Sequence, residues 1–120
     1  MSLFRFETLE IWKMAIEISD RLFDIADDLE KKKLFRFTEQ LRGSGMSMSN
    51  NISEGSGSYS DKDFANFLKY SRRSVYECAN ILVLIERRAY ITMAIKNELF
   101  EELAHLSKKI TNFRKTLIKD

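Results

Sequence analysis

Residues 42–61 read RGSGMSMSNNISEGSGSYSD, and the conformation of this stretch decides the architecture. It holds all four glycines of the chain and seven of its serines, so it resembles a flexible linker or a phosphate-cradling loop. Its apolar residues argue otherwise. Phe37, Leu41, Ser44, Met48, Ile52 and Gly55 follow one another at steps of four and three, the spacing of one face of an α-helix. A glycine–serine linker has no reason to keep that period or to carry Met46, Met48 and Ile52. A phosphate loop fares worse, because there is no GxxxxGK[ST], and Gly43-x-Gly45 lacks a third glycine and a preceding strand. The stretch therefore reads as a helix of poor helix formers, which needs tertiary compensation.

The same rhythm runs on either side. Ile11, Ala15, Ile18, Leu22, Ile25 and Leu29 form one seam, with Trp12, Ile16, Phe23 and Ala26 beside it, and Thr8 is a candidate N-cap. Phe64, Ser71, Cys78 and Ile85 make one heptad row of a third helix, and Leu68, Val75, Leu82 and Ala89 make the other. Ser60 with Asp63 resembles a capping box, and the cations of RRAY at 87–90 suit the negative end of the helix dipole. Thr92 is placed to cap a fourth helix carrying Leu99, Leu103, Leu106, Ile110, Phe113 and Leu117. The expected fold is all-α, an up-down antiparallel four-helix bundle in a single domain over 1–120. Its helices are expected at about 8–29, 35–56, 61–88 and 93–118. A hairpin of the second and third helices turning near 58–59 sets Ser44 and Gly45 level with Arg73 and Ser74, and Ser47 near Ser71. Small residues then let the two backbones approach, while Gly55 and Gly57 mark the helix end and the turn.

Composition sets the outer bounds. With 120 residues, 44% hydrophobic and 32% charged, the chain is sized for one globular domain. No run approaches the roughly 20 apolar residues of a membrane span, and MSLFRFETLE lacks a basic start followed by an apolar stretch, so no secretory signal is expected. With Cys78 alone there is no internal disulfide, so a reducing, cytoplasmic setting is expected. The lack of proline permits long helices but proves none, since about six would be average for this length. The net charge of +2 hides a gradient: residues 1–30 carry three cations and eight anions, and the remainder is basic. Surfaces of opposite sign are expected, meeting either between subunits or different partners.

Several motifs carry a resemblance. Gln40-Leu41-Arg42, Ser47-Met48, Asn51-Ile52-Ser53-Glu54-Gly55, and Phe67-Leu68 followed by Ser71-Arg72-x-Ser74-x-x-Glu77 resemble the signature of a bacterial four-helix-bundle family. That family is named for members encoded by intervening sequences within 23S ribosomal RNA genes. It is similar to the accessory variability determinant proteins of diversity-generating retroelements. The family usually has arginine and proline where this chain has Gly43 and Ser49, and glycine where it has Arg73. The resemblance implies an up-down bundle assembled into a ring-like homopentamer, with no catalytic residues.

The candidate sites divide by chemistry. Asn51, Glu54, Arg72, Ser74 and Glu77 are polar residues beside apolar seams, and they read first as a layer fixing helix register, second as a binding site. Glu102-x-x-His105 has half the form of a di-metal bundle motif, but the chain has one histidine, so no metal or other cofactor is expected. Cys78 lies on an apolar row, where an inert thiol is expected, and no nucleophile elbow occurs, so no enzymatic activity is expected. KKITNFRKTLIK at 108–119 carries five cations and no anion. Together with Arg72, Arg73, Arg87 and Arg88, its residues Lys108, Lys109, Arg114, Lys115 and Lys119 make a candidate surface for RNA or DNA backbones. Lys31–Lys33 and Arg36 cluster separately. The expected function is a non-enzymatic oligomeric binding protein that engages nucleic acid. The alternative is a protein-interaction scaffold, for example an accessory subunit for a reverse transcriptase. Self-association is expected through the two-seam face of the first helix.

Overall fold

The computed structural model describes residues 1–118 and contains four long helices: α1 (Glu10–Lys31), α2 (Phe35–Ser56), α3 (Asp61–Arg87) and α4 (Met93–Leu117). Each packs antiparallel against its neighbour in sequence, and α1 also meets α4, which closes a square. α1 and α3 stand diagonally, as do α2 and α4. The bundle measures 45 × 27 × 23 Å. Among the described residues no helix is long and apolar enough to cross a membrane.

The glycine–serine stretch is helical throughout, and Leu41, Ser44, Met48, Ile52 and Gly55 are all buried. α2 and α3 are joined by hydroxyls. Ser74 donates to the Ser47 hydroxyl at 2.7 Å, Ser71 to the Met48 carbonyl at 2.7 Å, and Ser44 to the Glu77 carboxylate at 2.7 Å. Small side chains on both helices thus bring the backbones near enough for hydroxyls to bridge them. Each bond contributes about 0.5–1.5 kcal/mol net, and among the described residues every buried side-chain nitrogen and oxygen finds a partner.

The register differs from the sequence expectation by about one helical turn: Ser47 meets Ser74 rather than Ser71, and Ser44 meets Glu77 rather than Arg73. Gly45 is not in this seam. Its carbonyl accepts from the buried Ser19 hydroxyl of α1 at 2.9 Å, and a Cβ there would lie 3.3 Å from the Phe23 ring. Gly55 does not end the helix either. It sits against α3 inside the last turn, and the chain leaves α2 at Gly57 with φ −88°.

The helix ends show where side chains set the boundaries. Ser60 accepts from the Asp63 amide and Thr92 from the Ile95 amide, each at 3.1 Å, as the cap chemistry predicts. Thr8 does not cap α1. Residues Arg5–Thr8 form a 3-10 turn, the Thr8 hydroxyl donates to the Arg5 carbonyl, and Leu9 holds the N-cap position. α1 and α3 end in the same motif. Leu34 N–H bonds Leu29 O and Lys33 N–H bonds Glu30 O; Tyr90 N–H bonds Ile85 O and Ala89 N–H bonds Glu86 O. These are Schellman pairs, with Lys33 (φ 62°) and Ala89 (φ 63°) in the left-handed position that glycine usually fills.

The second seam of α1 is largely used within the protomer. Trp12 packs on Phe6 at 5.0 Å between ring centroids, Phe23 faces Gly45, and Ala26 is fully buried. The large exposed apolar side chains lie elsewhere, among them Phe35, Met46, Leu84 and Met93.

Candidate nucleic-acid interface

The up-down topology sorts the cations by end. The α1–α2 and α3–α4 connections share one end, while the N-terminal turn, the α2–α3 connection and the end of α4 share the other. Arg87 and Arg88 therefore lie at the opposite end from Arg114 and Lys115, with Lys108 and Lys109 past the middle of α4, along an axis 45 Å long. The candidate residues do not form one surface.

Half of the basic tail is engaged within the fold. Lys109 pairs with Glu10 of α1 at 3.3 Å, and Arg114 donates from Nε to the Ala65 carbonyl of α3 at 3.0 Å. Lys108 and Lys115 are exposed, and Lys119 lies outside the described residues. Charge is visible in sequence, whereas a partner in a distant element is not.

The α1–α2 and α3–α4 connections build a denser cluster. Lys31, Lys32, Lys33, Arg36, Arg87 and Arg88 are all exposed there, and none has a carboxylate partner among the described residues. Of the nearby acids, Arg42 takes Asp27 at 2.8 Å and Glu30 at 2.9 Å, Lys96 takes Glu86 at 3.7 Å, and Asp28 is exposed beside Lys31 and Lys32. Arg42, by hydrogen bond and by charge, holds the Glu30 carboxyl below its usual range. Lys31 and Lys32 edge an open cleft of 670 Å³ whose other wall is Ala89–Thr92. Arg87 and Arg88 flank Phe37, whose ring meets Tyr90 edge-on at 5.9 Å. The two Schellman turns and the helix ends beside them thus present six cations without a carboxylate partner among the described residues.

The polar motif separates in a similar way. Asn51 donates to the Ser47 carbonyl and hydroxyl and Ser47 accepts from Ser74, while Glu77 accepts separately from Ser44, so these residues make two hydrogen-bonded sets across the α2–α3 seam. Glu54 and Arg72 stand outside both: Glu54 is exposed beside the N-terminal turn, and Arg72 lies over the Tyr76 ring. Of the Glu-x-x-His pair, Glu102 is held by Arg21 at 2.9 Å and His105 is exposed. Cys78 is fully buried, and desolvation pushes its thiol up to about 12.

Comparison with known proteins agrees with this architecture. A crystal structure at 1.70 Å of a protein of unknown function from the S23 ribosomal protein family of Bacteroides thetaiotaomicron superposes with a TM-score of 0.72. It is 27% identical, over 92% of this chain and 99% of that one. No curated protein matches the sequence. The family model described as 23S rRNA-intervening sequence protein matches residues 7–112, nearly the full length of the bundle. The chain thus belongs to the 23S rRNA-intervening sequence protein family.

Proposed function

We propose that this protein is a non-enzymatic, self-associating binding protein that engages RNA or DNA backbones through the basic end of its bundle. The observation that carries the reading is the group Lys31, Lys32, Lys33, Arg36, Arg87 and Arg88, exposed together without carboxylate partners among the described residues. Phosphate neutralisation releases condensed counterions, so such a cluster favours polyanions and makes their binding steeply dependent on salt.

Self-association is supported by the division of charge. The outer side of α1 exposes Glu17, Asp20, Asp24 and Asp28, which have no cation partner among the described residues, whereas the connection end is basic. Copies arranged in a ring, a homopentamer in the form the family resemblance implies, repeat the basic end around the axis and multiply the phosphate contacts.

The test is fluorescence anisotropy with a labelled RNA hairpin and a DNA duplex at about 50 and 200 mM salt. Binding should weaken steeply with salt. It should fall when the six cations are changed to glutamine, and fall less when Lys108 and Lys115 are changed. Light scattering at micromolar concentration should give a mass above that of a monomer. A second reading, a scaffold for a protein partner, is favoured by exposed Phe35 and Met93 at the same end. Association that survives high salt and is lost on Phe35→Ser would select it.

A further inference from the structure

α3 carries a second cationic surface of a different kind. Beyond its first turn, and clear of the connection end, its outer side exposes Lys69, Arg72 and Arg73, over about 6 Å at 1.5 Å per residue. The acid that follows them, Glu77, already accepts from Ser44. Two tyrosines accompany them. Tyr70 is 47% exposed and Tyr76 57% exposed, neither belonging to the hydrophobic core.

The cations around them lie near the rings and away from carboxylates. Lys69 Nζ lies 5.9 Å and Arg73 Cζ 6.0 Å from the Tyr70 ring centroid. Arg72 Cζ lies 4.9 Å from the Tyr76 ring, and its NH2 group donates to the Tyr76 hydroxyl at 3.2 Å. No carboxylate pairs with Lys69, Arg72 or Arg73 among the described residues. Tyr70 also borders an open polar groove of 510 Å³ over the α2–α3 seam, lined by Ser47, Asn51, Arg73, Ser74 and Glu77. That volume falls in the roughly 300–1,000 Å³ range of small-ligand pockets. Its walls leave the Asn51 amide oxygen and the Glu77 carboxylate as acceptors, groups that bond to the amino edges of bases.

We propose that the outer face of α3 and the adjoining groove form a platform for single-stranded nucleic acid, with Tyr70 and Tyr76 stacking unpaired bases and Lys69, Arg72 and Arg73 holding phosphates. The inference rests on the reading that the protein binds nucleic acid, and it names the form bound at this face. Charge complementarity selects a polyanion. Exposed tyrosines set among the cations select one whose bases are free to stack, because a duplex hides its base faces. The two rings are about 9 Å apart along the helix and about 120° apart around it, so they suit two splayed bases with the cations between them.

The experiment compares a labelled oligouridine of about twelve nucleotides, within the roughly 4–16-nucleotide span of single-strand sites, with a duplex of similar length. Both are titrated against the full chain, its tyrosine variants and the six-glutamine connection-end variant. Tyr70→Ala and Tyr76→Ala should each weaken single-strand binding about tenfold. Tyr70→Phe and Tyr76→Phe should retain it, because the ring stacks and the hydroxyl does not, and duplex binding should stay unchanged in all four. Circular dichroism melting confirms that the variants fold.

If the wild type binds duplex and single strand alike and the alanine variants lose nothing, the platform is wrong while the basic-end reading stands. If neither ligand binds even at low salt, both fall. Phenylalanine variants as weak as alanine would overturn stacking in favour of the hydroxyl. A self-associated species that dissociates on Arg72→Glu with Arg73→Glu would show this face covered by a second copy, and would overturn the proposal.

Discussion

Gly55 of α2 and Phe67 of α3 are so close that a Cβ on the glycine would stand 2.7 Å from the Phe67 Cβ and 2.8 Å from the Phe64 ring. A clash with Cβ is not relieved by side-chain rotation, so the helices must part. Gly55→Ala should therefore destabilise the bundle by about 1–3 kcal/mol of overpacking, less the roughly 1 kcal/mol that alanine gains as a helix former. Gly43, in the same helix, has nothing within 4 Å, and Gly43→Ala should stabilise by up to about 1 kcal/mol. Urea titration of the two variants should move the midpoint in opposite directions, and a shift of the same sign in both would disprove the seam geometry.

The left-handed residues at the two Schellman turns make a second test. Lys33 and Ala89 have a Cβ in a conformation that costs an L-residue about 1–2 kcal/mol, of which glycine returns part as unfolded-chain entropy. Ala89→Gly should raise stability by up to about 1 kcal/mol, seen as a higher melting temperature. Lys33→Gly should do the same while lowering the charge of the basic end.

Cys78 should be chemically silent in the folded protein. Burial pushes its thiol up to about 12 and hides it fully, whereas the nucleophile is the exposed thiolate. Iodoacetamide at pH 8 should modify it only as the bundle opens. The labelling rate should follow global stability across the glycine variants. Rapid native-state labelling would contradict the packing.

Acid stability should report on Arg42. Its contacts lower the folded-state pKa of Glu30, so the corresponding stabilisation is present above the ordinary carboxylate value of 4.5 and is lost as pH falls through the folded value. Arg42→Gln should lower the melting temperature at neutral pH and converge on the wild type in acid. Because the pair is exposed, added salt should shrink the difference. A difference unchanged between neutral pH and acid would assign the effect to packing.

How far the sequence alone reaches differs from feature to feature. The helix through residues 42–56 was legible because Leu41, Ser44, Met48, Ile52 and Gly55 keep one period, and period reflects a buried face. The partner of each face was not legible. Gly45 neighbours Ser44 in the chain, yet it looks toward Ser19 of α1 while Ser44 looks toward Glu77 of α3. A helix with neighbours on two sides shows one wide stripe in sequence without saying which helix meets which edge. Caps at Ser60 and Thr92 were readable because their bonds are local. The partners of Lys109 and Arg114 lie in α1 and α3, so the basic tail gave no sign that it was half spent. The α3 platform was half visible, as cations in the sequence, but the rings they lie near emerge only with the side chains placed.

The sparse side chains of α2 have a consequence for how the molecule comes together. Between Gly43 and Ser53 the helix is mostly glycine, serine and asparagine, residues that gain little from coiling alone. A free peptide of this segment is expected to be coil in water. α2 is helical by company, held by Ser19 and Phe23 on one side and by Ser71 and Ser74 on the other. Loosening either flank removes the reason for the helix between them, so the molecule has no half that melts first. Its amide protons in α2 should exchange only when the entire chain lets go.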